Sequence, residues 1–103
     1  MQTPAPLLSI RPATADDVPL IRQLIAELAD YERLAHAAVA TDADLREALF
    51  GPQPAAEVLI GEVDGQPAGF ALFFHSFSTF LGKRGLYLED LFVRPAFRGA
   101  GLG

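Results

Sequence analysis

The side chains best suited to chemistry lie in the closing stretch Leu86-Tyr-Leu-Glu-Asp-Leu-Phe-Val-Arg-Pro-Ala-Phe-Arg-Gly-Ala-Gly-Leu-Gly103. Glu89 and Asp90 are adjacent carboxylates inside an otherwise apolar run. A carboxylate in apolar surroundings is costly to bury unless it is paired. Burial or a neighbouring like charge raises its pKa, which suits it to act as a general base or to hold a cation. Strand alternation predicts Leu86, Leu88, Asp90 and Phe92 on one face, with Tyr87, Glu89, Leu91 and Val93 on the other. The two carboxylates then diverge unless a bulge intervenes. The alternative is that one faces solvent and the other caps a neighbouring loop, with no chemistry at either.

The second signal is Arg98-Gly-Ala-Gly-Leu-Gly103, with three glycines in its last five residues. Glycine lets the backbone approach a ligand closely and adopt positive φ, so successive N–H groups can converge on an anion. A helix beginning there would add the positive end of its dipole. The spacing is neither the dinucleotide Gly-x-Gly-x-x-Gly pattern nor a Walker loop, which needs Gly-Lys-Ser/Thr. His36 and His75 lack a second ligand at metal spacing and read as structural, and Ser76 lacks the context of a nucleophile elbow. No metal site is expected. The five phenylalanines from Phe70 to Phe80 read as core and loop anchors.

The elements that must position these residues follow from local patterns. Residues 7–11 form a short apolar run ended by Pro12, consistent with a strand. Thr14-Ala-Asp-Asp17 has capping-box spacing, and Val18, Ile21, Leu24, Ile25 and Leu28 recur at helical spacing, which predicts a helix over 15–34. Tyr31 and Glu32 fall at its C-terminal end. Thr41-Asp-Ala-Asp44 repeats the cap, and Gly51-Pro52 ends a second, shorter helix. Glu57 to Val63 reads as a strand, and Asp64-Gly65 as a two-residue hairpin turn. Pro67 to Ser76 is apolar on both faces, so it is expected to be central in its sheet and covered on both sides. Residues 77–85 are predicted as a loop, and Leu86 to Val93 as the fourth strand. The order β-α-α-β-β-β defines an α+β protein with a mixed, mostly antiparallel sheet flanked by helices.

Composition narrows the function. The chain of 103 residues carries a net charge of −5, which disfavours nucleic acid or an anionic membrane as partner. It contains no cysteine, excluding disulfides, thiolate metal sites and a Cys nucleophile. Met1 to Pro6 has neither a basic nor a long apolar region of the kind a signal peptide needs. The longest uncharged run, Gly65 to Gly82, is interrupted by Gln66, Pro67, His75, Ser76, Ser78 and Thr79 and is better explained as strand and loop. The expected location is the cytoplasm.

The conjunction of Leu88-Glu-Asp-Leu-Phe-Val93, a Pro-containing turn and Arg98-Gly-x-Gly-x-Gly103 resembles the acetyl-CoA-binding core of the GNAT superfamily of N-acetyltransferases. Ile10-Arg-Pro-Ala-Thr-Ala15, Glu27-Leu-Ala-Asp-Tyr-Glu32, Gly69-Phe-Ala71, Gly82-Lys83 and Leu86-Tyr-Leu-Glu-Asp90 resemble the spermidine/spermine (diamine) branch. That resemblance implies acetyl transfer from acetyl-CoA to a primary amine of a small cationic substrate, polyamine-like or a lysine analogue, by direct attack in a ternary complex. It implies that the backbone at Leu91, Phe92 and Val93 pairs with the pantetheine amides. Arg98 and the amides of Gly99, Ala100, Gly101, Leu102 and Gly103 would hold the pyrophosphate. Glu89 would draw a proton from the amine through water, while Tyr31, Glu32 and Asp90 line the amine side. A homodimer is the expected assembly. The tyrosine general acid of this family lies well after the glycine loop, and neither Tyr31 nor Tyr87 occupies that position. Residues 1–103 are therefore expected to form the N-terminal part of a single acetyltransferase domain, with further helices and strands beyond Gly103. The rival expectation is a non-catalytic fragment or interaction module that retains the sheet without turnover.

Overall fold

The structure, a computed structural model, describes residues 6–99. Its elements are β1 (Leu8–Pro12), α1 (Val18–Tyr31), α2 (Asp42–Phe50), β2 (Glu57–Val63), β3 (Gln66–Ser78) and β4 (Lys83–Val93). Short 3-10 turns occupy Ala15–Asp17, Ala35–Ala37 and Pro95–Phe97. The strands form one sheet in the order β1-β2-β3-β4, and all three pairings are antiparallel. The order of elements is the one the sequence predicts. The sheet, expected to be mostly antiparallel, is antiparallel throughout the described residues.

Local chemistry explains most boundaries. Ahead of α1, Asp17 accepts from the Thr14 backbone N–H at 2.7 Å and receives both terminal nitrogens of Arg11, at 2.7 and 2.9 Å. The capping pattern thus opens a 3-10 turn, and the α-helix proper begins at Val18 with Pro19 in its first turn, where a missing N–H is harmless. At the other end, Leu34 N–H donates to Ala29 O and Arg33 N–H to Asp30 O. That is a Schellman closure, and Arg33 takes the left-handed conformation at φ 60°. It fixes Tyr31 as the last helical residue and Glu32 as the cap. Thr41 and Asp44 form a reciprocal capping box for α2. Asp64 and Gly65 have φ of 51° and 78°, as the predicted two-residue turn requires.

One core joins both helices to one face of the sheet. Val18, Ile21 and Leu24 of α1 and Leu45 and Leu49 of α2 pack with Val58, Ile60, Phe70 and Phe92. The pairs Val58↔Leu72, Ile60↔Phe70 and Phe70↔Phe92 place those strand residues on the same side. β3 is central, as expected, but the expectation that both its faces are covered fails among the described residues. The opposite face presents Ile10, Leu59, Ala71 and Leu91 around an apolar groove, with Ile10 and Leu91 exposed.

The predicted loop at 77–85 is a second correction. β3 runs on to Ser78 and β4 starts at Lys83, leaving only Thr79 to Gly82 to turn the chain. β2 pairs no further than Phe73, so beyond it β3 and β4 continue as a two-stranded arm. Gly82 at φ 62° and its N–H bond to Ser78 O close the turn. Cross-strand pairing sustains the arm, with Phe74 and Tyr87 stacked at 5.0 Å. The residues at 83–85, Lys-Arg-Gly, carry no strand periodicity of their own.

Two outcomes follow from this packing. A Cβ at Gly69 would collide with the Phe92 carbonyl oxygen, a backbone atom that cannot yield without moving β4. Gly69→Ala is expected to cost about 1–3 kcal/mol of stability, measured by urea denaturation. The Arg11 hydrogen bonds hold the Asp17 carboxyl at about 2, against the partial opposition of burial. A depressed carboxylate stabilises above its unfolded pKa of about 4 and loses that contribution as pH falls toward 2. Asp17→Asn is expected to lose roughly 2 kcal/mol at pH 7 and to flatten the stability profile between pH 5 and 2. A parallel, undiminished acid loss in the variant would contradict the assignment.

Candidate functional site

The β3–β4 ladder breaks register once. Leu72 pairs with Asp90 and Phe73 pairs with Leu88, so Glu89 stands opposite no residue of β3. This is a β-bulge, and it resolves the conditional in the sequence. Because strand period is two, an extra residue transfers everything beyond it to the other face. Tyr87 pairs with Phe74 on the same face as Asp90 and Phe92, whereas unbroken alternation would have separated them. Leu88 moves to the open face with Leu91.

The carboxylates consequently act on one another. Asp90 is half-buried, and its pKa is raised first by burial and then by the charges of Glu89 and Glu32. Glu32 comes from the cap of α1, so helix end and bulge share one acidic locality. Tyr31, Glu32 and Glu89 are exposed. Glu89 and Glu32 each add negative potential at Asp90, which favours a cation from solvent there. Among the described residues no cluster of His, Cys, Asp and Glu is placed to hold a metal ion.

Beyond the bulge the backbone at the free edge matters. Arg94 N–H donates to Ala68 O at 2.7 Å, which sets the parity of the ladder. Alternate residues of an antiparallel strand bond to the same neighbour. Phe92 therefore spends its polar backbone on β3 and its ring in the core, while Leu91 and Val93 direct N–H and C=O to the open side. Val93 O accepts from Arg98 Nε at 2.9 Å, and the Arg98 guanidinium lies 4.5 Å above the Tyr31 ring and 5.9 Å from that of Phe92. Gly99, at φ 86°, turns the chain immediately afterwards. Ala100, Gly101, Leu102 and Gly103 lie outside the described residues. The edge N–H groups and the left-handed Gly99 fit an extended, amide-bearing ligand that ends in an anion. The Val93 carbonyl is already engaged.

One participant escapes sequence reasoning. Arg94 gives Nε and Nη2 to the two oxygens of Glu27 at 2.9 and 2.8 Å, and Nη1 to Pro67 O at 3.0 Å. This bidentate pair ties the last turns of α1 to the end of β4 and lowers the Glu27 pKa through the Arg94 hydrogen bonds. Its members are 67 residues apart, so no local pattern announces it. His75 meets Glu57 at 3.1 Å on the surface, away from these groups, and His36 lies in the 3-10 turn after α1.

A bulged strand with outward amides that lead to Gly99, beside an acidic corner, offers donors to an extended ligand and negative charge to a cation. The acetyltransferase (GNAT) family profile matches residues 20–103, and the chain belongs to that family. It is 38% identical over 102 residues to a thialysine N-epsilon-acetyltransferase of Bos taurus, with 91% of this chain and 59% of that protein covered. It is 32% identical to the L-ornithine N5-acetyltransferase NATA1 of Arabidopsis thaliana, covering 91% of this chain and 61% of that one. Against the spermidine/spermine N(1)-acetyltransferase-like protein 1 of Homo sapiens the identity is 39%, covering 99% of this chain and 16% of that protein. The chain thus spans about three fifths, or less, of the length of these relatives. An aminoglycoside N-acetyltransferase AAC(6')-Iy in complex with CoA shares the fold, with a TM-score of 0.71 at 23% identity, over 99% of this chain and 65% of that one.

The raised pKa of Asp90 has a sign that can be checked. Its charged form opposes folding, and that opposition appears as pH rises through the ordinary carboxylate range and beyond. Asp90→Asn is expected to raise the urea midpoint at pH 7 and to leave it unchanged near pH 3. A lower midpoint at pH 7 would mean that the charge is compensated in the fold.

Proposed function

We propose that this chain serves an N-acetyltransferase that moves an acetyl group from acetyl-CoA to a primary amine of a small cationic substrate. The observation that carries the reading is the bulge at Glu89, next to Asp90. Asp90 feels the charges of both Glu89 and Glu32, on the strand that forms the sheet edge among the described residues. The relatives support the substrate class, since their names specify thialysine, ornithine and spermidine/spermine. Polyamine-like amines and lysine analogues fit that range and the acidic corner.

Acetyl-CoA supplies an acyl group activated as a thioester. Leu91, by its outward N–H and C=O, and Val93, by its outward N–H, hold its amide-bearing arm, and Arg98 with the glycine segment holds its phosphates. The amine arrives protonated at neutral pH and cannot attack until it loses that proton. Glu32 and Asp90 draw the cation in, with Tyr31 along the same side. Glu89 takes the proton through a water molecule, and the freed lone pair forms the C–N bond as the C–S bond breaks. With no cysteine in the chain, direct attack in a ternary complex is simpler than an acyl-cysteine intermediate. The departing thiolate must take its proton from an acid, and the family position for that acid, after the glycine loop, is held by neither Tyr31 nor Tyr87.

Release of CoA from acetyl-CoA in the presence of a diamine tests the activity. Glu89→Gln is expected to lower kcat by about 10²–10⁴, the usual contribution of a general base, with acetyl-CoA affinity retained. An unchanged rate across pH would remove Glu89 from the mechanism.

A further inference from the structure

Tyr31 packs against a cation in this structure. Its ring presents one face to the Arg98 guanidinium at 4.5 Å. Phe92, tilted at 6.5 Å from Tyr31, adds a second ring 5.9 Å from the same cation. Val93 O fixes Nε at 2.9 Å. A long, flexible arginine is therefore held on three sides, by the end of α1, by the core and by the strand edge. Among the described residues its terminal nitrogens have no hydrogen-bond partner, so four N–H donors remain available. Planar stacking with a fixed Nε orients that remaining fork.

We propose that Tyr31 is a positioning residue for Arg98, and through it for the phosphate end of the acetyl donor. The proposal rests on the function given above and reassigns the ring face of Tyr31 from the amine to the donor side. Three features cooperate. The Schellman closure at Arg33 ends α1 so that Tyr31 sits in its last turn. The Glu27–Arg94 pair holds that turn against the end of β4. Gly99 then turns the chain away directly after the held arginine. A phosphate approaching Gly99 meets an arginine already ordered, which spares the entropy of ordering it on binding.

Coenzyme A binding by calorimetry, with the full chain, separates the possibilities. Tyr31→Leu is expected to weaken CoA binding roughly 5-fold, the size of one exposed cation–π contact, while Tyr31→Phe keeps the ring and the affinity. Arg98→Lys, which loses the planar fork and Nε, is expected to weaken binding at least as much. Adding Tyr31→Leu to Arg98→Lys should weaken it little further, because the two act as one unit. In NMR spectra without ligand, ring currents should move the Arg98 Hδ resonances upfield in the native chain and in Tyr31→Phe, and not in Tyr31→Leu. Tyr31→Leu with native CoA affinity and a raised KM for the amine alone would overturn this inference and leave the acetyltransferase reading standing. A native chain that binds no CoA would overturn both. CoA binding with the predicted Tyr31 dependence but no acetyl transfer would support the inference and count against the catalytic reading.

Discussion

Everything at the candidate site depends on one unpaired residue in the β3–β4 ladder. With regular pairing, Asp90 would face the helices and Tyr87 the open side. The bulge at Glu89 brings Tyr87, Asp90 and Phe92 to one face and leaves Glu89 without a partner. The pKa of Asp90 is raised first by its burial on that face and then by the neighbouring charges of Glu89 and Glu32. The strand accepts the irregularity because its neighbours secure it on either side. Phe70↔Phe92 anchors the core end and Phe74↔Tyr87 anchors the arm.

The second constraint is the seam between α1 and β4. The Arg94–Glu27 pair is partly buried on both partners, so solvent screens it less than a surface ion pair. Arg94 also bonds to Pro67 O, and its backbone N–H meets Ala68 O, so a single residue ties the helix, β3 and β4 together. Gly69 separately allows β3 to approach β4 by leaving no Cβ to meet the Phe92 carbonyl. This seam sets the distance between the acidic helix end and the strand edge. The helix end and the strand edge are therefore tied together at one corner.

Much of this was legible in advance. Thr14, Thr41, Asp64 and Gly65 act through neighbours three or fewer residues away, so their roles survive translation into three dimensions. The amphipathic stripe of α1 names its own buried residues, since Val18, Ile21 and Leu24 are fully enclosed. The loop predicted at 77–85 failed for the opposite reason. Lys83, Arg84 and Gly85 become strand only because Ser78, Phe77 and Ser76 lie across from them. The double coverage predicted for β3 failed because hydrophobicity says that a face can be buried, and not what buries it.

The sequence by itself determined the chain's elements, their order and its family, because caps, turns and the Leu88–Val93 and Arg98–Gly103 motifs are local arrangements of residue type. Tertiary structure decided which groups meet. Glu89 and Asp90 share a locality through a register shift that only pairing with β3 defines. Glu27 finds Arg94 across 67 residues, and Arg98 finds Tyr31 only once helix and strand are packed. The physical reason is range. Conformational preference acts over a few residues, whereas register, burial and charge proximity exist only when distant segments share a surface.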